Sequence, residues 1–106
     1  MNKRLVTLLA IGCAFNSLGG ELTKGSTVLE VASNGSNAAN FAVKVTGGTG
    51  LCSGWIYFPE VKVSSITTYN QSFTLATMAL AADKKVRIHN YSDNSCTGAD
   101  FISVSK

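Results

Sequence analysis

Few side chains in this sequence are equipped for chemistry: one histidine, His89, two cysteines beyond the N-terminal segment, Cys52 and Cys96, and an aromatic pair, Trp55 and Tyr57. His89 falls on the polar phase of the alternating run Val86-Arg87-Ile88-His89, in step with Arg87 and Tyr91. A general base needs an orienting partner and a nucleophile within hydrogen-bond reach, and no Ser or Asp motif here supplies them. His89 therefore reads as a solvated surface residue. No catalytic residue is assigned, and an enzyme is not expected. Zinc could be assembled only from Cys52, Cys96, His89 and Asp93, whose spacing matches no compact ligand pattern. No metal and no cofactor are expected.

Trp55 and Tyr57 sit two apart in Trp55–Val63, WIYFPEVKV, and so share one face of a strand, with Ile56 and Phe58 on the other. One pair must be core. The other is either covered by a helix or free to stack on a sugar or a protein partner, as exposed Trp and Tyr do. The glycine-rich stretch 47–54, GGTGLCSG, lacks the Lys-Ser/Thr and the helix start of a phosphate-cradling loop, so a flexible loop or bulge is expected there.

The compartment decides what the cysteines do. Lys3 and Arg4 precede an apolar run from Leu5 to Phe15, and a polar, small-residue stretch from Asn16 to Gly20 follows. These are the three parts of a secretory signal, expected over residues 1–20, and eleven apolar residues are too short to span a bilayer. Ala10-Ile11-Gly12-Cys13 offers the alternative of a lipoprotein anchored at Cys13. With the leader removed, formal charge falls from +3 to about +1, since Lys3 and Arg4 leave with it. The basic balance belongs largely to the leader and gives no support to nucleic-acid binding, which calls for Lys and Arg clustered on one face. Two cysteines remain, and in a secreted or periplasmic chain Cys52 and Cys96 are most simply a disulfide.

The elements that must position these residues follow from periodicity. The remaining residues 21–106 suffice for one small domain. Thr27–Ala32 reads as a short strand with mixed faces, Asn34-Gly35 as a turn, and Asn40–Thr46 as its hairpin partner. The aromatic strand Trp55–Val63 comes next, with Pro59 marking an edge or a break. A helix capped by Asn70 or Ser72 runs to Asp83, a strand spans Val86–Tyr91, and a last one Phe101–Val104. The order β-β-β-α-β-β, mainly β with one helix, predicts a five-stranded OB-like barrel. A ferredoxin-like fold would need a helix between its first two strands.

The helix–strand unit SFTLATMALAADKKVRIH, residues 72–89, resembles that of the receptor-binding B subunits of toxins with one A and five B subunits, in the subtilase-type and pertussis-type branch. Cys52-Ser53-Gly54-Trp55-Ile56-Tyr57-Phe58 and Cys96-Thr97-Gly98 also resemble motifs of short exported bacterial proteins. The resemblance implies a glycan site that includes a serine near the start of the first strand, matched here by Ser26, and a homo-oligomer, the pentamer of a ring subunit. The resulting expectation is a secreted or periplasmic binding module for a glycan or a protein surface. Candidate ligand-binding residues are Ser26, Trp55 and Tyr57. The rival is a periplasmic or outer-membrane accessory or inhibitor protein. No membrane span is expected in the mature chain.

Overall fold

Alternating apolar residues build one face of a five-stranded antiparallel sheet. The computed structural model describes residues 19–36 and 39–106. Apart from Gly19 and Gly20, the expected leader lies outside the described residues, as does Cys13. Among the described residues the strands are β1 (Gly20–Asn34), β2 (Asn40–Thr46), β3 (Gly54–Pro59), β4 (Lys85–Asn90) and β5 (Phe101–Ser105), with an α-helix, α1 (Ile66–Ala82), between β3 and β4. Their spatial order is β3-β2-β1-β4-β5. β3 and β5 do not pair, so the sheet is not closed by strands.

β1 is the shared axis. Its first half pairs with β4 and its second half with β2. Fifteen residues serve two partners because the strand bends at three register shifts, between Glu21 and Thr23, Lys24 and Ser26, and Val28 and Glu30. The last shift leaves Leu29 without a partner. It brings Val28 and Val31 to the core side and explains why the faces of TVLEVA look mixed in sequence. The strand is also much longer than the expected Thr27–Ala32, because pairing with β4 draws in Gly20–Ser26, whose two glycines, glutamate and lysine carry little strand signal.

The core lies between the inner face and α1. Val43, Ile56 and Ile88 are fully buried, joined by Leu22, Phe41, Phe58 and Val86. Phe41 is its aromatic centre: it stacks on Phe58 at 4.5 Å between centroids and meets Tyr69 and Phe73 of α1 edge-on, both at 5.3 Å. Burial, with a smaller contribution from the Glu60 carboxylate, holds the Tyr69 hydroxyl above its ordinary pKa. The helix begins earlier than its composition suggests. Ser65 is the N-cap, its hydroxyl accepting the Thr68 N–H at 3.1 Å, rather than Asn70 or Ser72. The tertiary contact of Tyr69 with Phe41 stabilises this extra turn. α1 ends at Asp83, which takes a left-handed conformation at φ 55°.

Two further boundaries differ from expectation. β3 stops at Pro59 instead of Val63, because the chain turns into a single 3-10 turn, Glu60–Lys62. The glycine-rich segment lies flat along β1 rather than loose: Lys24 and Thr49 exchange backbone hydrogen bonds at 2.9 Å, and Cys52 N–H donates to Leu22 O at 2.8 Å. A Cβ on Gly48 would collide with Lys24 O, and one on Gly50 with Leu22 O, so glycine is required by close approach.

Candidate functional site

The pleat that buries Ile56 and Phe58 turns Trp55 and Tyr57 to the opposite, outward face of β3, where both are half-buried. Their cross-strand neighbours are fixed by register: Trp55 opposite Lys44, and Tyr57 opposite Ala42. Lys44 in turn lies opposite Glu30 of β1, so a row Glu30–Lys44–Trp55 crosses three strands. The Lys44 ammonium stands 5.9 Å from the centre of the Trp55 ring, within cation–π range. An acid, a base and two aromatic rings thus share one outward patch. Such a patch can stack against an apolar ring face and hydrogen-bond its hydroxyls.

Tyr57 is held from the side as well. Its N–H donates to Cys96 O at 2.8 Å, and its carbonyl accepts the Ala99 N–H at 2.9 Å. Cys96 is joined to Cys52 by a disulfide with the Cα atoms 6.0 Å apart. The free edge of β3 is therefore occupied by the segment 96–99, which protects it from pairing with another chain and fixes the strand that carries both rings.

Ser26 is placed differently. Its side chain is fully buried, in a short contact with the Thr23 hydroxyl and donating to Gly47 O at 3.1 Å. It fastens the glycine-rich segment to β1 and has no surface to offer a ligand in this conformation, because the bend in β1 directs it inward. Of the three candidates, the structure brings Trp55 and Tyr57 together and leaves Ser26 apart.

A second aromatic group occupies the outward face of the other half. The rings of His89, Tyr91 and Phe101 form a triangle with centroids 5.3 to 5.9 Å apart. The Arg87 guanidinium lies 5.6 Å from the centre of Phe101, and His89 Nε2 is 3.5 Å from Glu21 Oε2. His89 is not solvated as expected. Its Nε2 is buried and makes no hydrogen bond, because register sets Phe101 directly opposite it. The alternation of Arg87, His89 and Tyr91 was visible in sequence, whereas the partner strand that supplies Phe101 follows a ten-residue connector, 91–100.

That connector is organised by Asn90, fully buried and also unsignalled by sequence. Its Nδ2 donates to Asp93 Oδ1 at 2.7 Å and to Ser95 O at 3.0 Å; its Oδ1 accepts from Ser92 N, Asp93 N and Lys62 Nζ. Lys62 also donates to Gly98 O at 2.8 Å, tying the 3-10 turn to the same connector.

Among the described residues, no cluster of three or more His, Cys, Asp or Glu could hold a metal ion, and no helix is long and apolar enough to cross a membrane. Residues 3–106 match a protein family described as a family of unknown function (DUF5992), and the chain belongs to that family. No curated protein and no solved structure matches the chain.

Proposed function

We propose that this chain is an exported, non-enzymatic binding module of OB-like build that recognises a glycan or a protein surface through the outward face of β2 and β3. The observation that carries the reading is the pair Trp55 and Tyr57, turned away from the core beside Lys44 and Glu30. Aromatic rings flanked by one acid and one base suit a ligand with both apolar and hydroxyl-bearing faces.

The strand order supports the OB-like reading, with a bent β1 shared by both halves and the segment 96–99 bridging the β3 edge. In such barrels the face of the second and third strands is a common oligosaccharide and oligonucleotide surface. The disulfide supports export to an oxidising compartment. Self-association belongs to the same reading: α1 contains no charged residue, and it exposes Ile66, Phe73, Met78 and Leu80. A homo-oligomeric ring, the pentamer implied by the toxin-B-like resemblance, would cover that flank.

Size-exclusion chromatography with light scattering, followed by glycan-array screening of the same sample, tests the proposal. The expected result is an oligomer with a specific array signal that a Trp55→Ala, Tyr57→Ala double variant loses. A monomer sinks the ring. An array signal unchanged in the double variant sinks the assigned face.

A further inference from the structure

The sequence offers seven lysines and arginines beyond the leader, scattered from Lys24 to Lys106. The fold gathers four of them. Lys24, Lys85, Arg87 and Lys106, with the hydroxyl-bearing Ser103 and Ser105, line a hollow of about 340 Å³ on the outer side of β1, β4 and β5. Register explains the gathering: Lys24 lies opposite Arg87, which lies opposite Ser103, and Lys85 lies opposite Ser105. Among the described residues, none of the four cations lies within ion-pair distance of a carboxylate; the one such contact, 3.5 Å, is between the His89 ring and Glu21. Lys85 Nζ donates to the neutral Thr27 hydroxyl at 2.9 Å, and Arg87 Nε is buried without a hydrogen bond. Four like side-chain charges with no carboxylate paired to them repel one another, and an anion seated among them lowers that repulsion.

We propose that this hollow binds the phosphate or sulfate monoester group of a saccharide. A tetrahedral oxyanion presents several acceptor oxygens, enough for a guanidinium fork, lysine ammoniums and two serine hydroxyls at once. The volume falls within the range of small-molecule sites, about 300–1,000 Å³, and exceeds what one inorganic ion needs. What lies beside the hollow identifies the rest of the ligand. Arg87 joins it to the ring group of Phe101, His89 and Tyr91, a stacking surface for a sugar face. At that far end stand the carboxylates of Glu21 and Asp100. These accept hydrogen bonds from neutral hydroxyls and repel further phosphates. A molecule charged at one end and hydroxylated at the other matches this division, whereas a nucleic-acid strand would carry charge across it.

The saccharide part rests on the glycan reading above, but the site lies on the other half of the sheet from Trp55, so the two fail separately. The test follows backbone amide signals by NMR while glucose 6-phosphate, glucose, inorganic phosphate, anionic phospholipid vesicles and a single-stranded oligonucleotide are each titrated. Glucose 6-phosphate should shift Arg87, Ser103 and Ser105 saturably and bind about tenfold or more tightly than glucose. Lys24→Gln and Lys106→Gln, both at exposed positions, should each weaken it several-fold with the fold intact, and the Trp55→Ala variant should bind it unchanged. The proposal is overturned if glucose binds as tightly, if glucose 6-phosphate leaves those signals unmoved, or if inorganic phosphate, vesicles or oligonucleotide bind more tightly per phosphate.

Discussion

The two halves of the sheet use the same pleat to opposite ends. On the β2–β3 half, the outward face carries Trp55 and Tyr57 with a single cation, Lys44, and a single acid, Glu30, in one cross-strand row. On the β4–β5 half, it carries three rings in mutual contact and a concentration of unpaired cations. The halves also differ in how they are held. β3 is clamped at its free edge by a segment carrying a disulfide half-cystine, while the β4–β5 connector is organised around one buried amide, Asn90. A small sheet bent about one long strand thus presents two chemically distinct surfaces.

The disulfide should produce the largest effect, because it ties the two halves together. Replacing both Cys52 and Cys96 by serine releases a 44-residue separation and should lower stability by about 4 kcal/mol in the chain-entropy account. Urea denaturation monitored by circular dichroism checks this. If the halves depend on the shared β1, the variant still unfolds in one transition; two separated transitions would show them to be independent units.

Asn90→Ala comes next. It removes a fully buried amide and the part-buried bonds it accepts from Ser92, Asp93 and Lys62, and should cost about 1–3 kcal/mol, measured by the same denaturation. The loss should fall on one side of the comparison. Amide exchange should quicken across 91–100, while protection along β2 and β3 persists. Equal loosening of both halves would mean that the connector, through its bonds to Tyr57, supports the β3 surface as much as its own.

The sequence displayed the parts of this molecule that rest on local pattern. Alternation in Asn40–Thr46 and in Val86–Tyr91, and the helical spacing of Ser72–Asp83, each correspond to an observed element. What it hid depends on pairing at a distance. The three bends of β1 interrupt alternation, so a fifteen-residue strand reads as six. Pro59 was legible as a break, yet the inward turn of Lys62 toward Asn90 and Gly98 was not, since both partners lie about thirty residues downstream. Within the candidate site, the phase of Trp55 and Tyr57 followed from spacing, while which pair faced the core required the helix to be placed. The burial of Ser26, which the toxin-B resemblance offered as a ligand residue, was not legible in sequence, because the Thr23 hydroxyl and the Gly47 carbonyl that satisfy it are brought to it by the bend of β1 and by the glycine-rich segment. The gathering of four cations escaped a charge count altogether: net charge sums over the chain, and register decides where the charges meet.

Trp55 is the only tryptophan in the chain, so its fluorescence reports on the β2–β3 face without a label. The decisive measurement is its emission during titration with the glycan that gives the strongest array signal. A ligand stacking there should shift or quench the emission saturably, with a midpoint equal to the dissociation constant found by calorimetry. Emission that stays constant while calorimetry shows the ligand saturating the protein would contradict the assignment of this face as the binding surface.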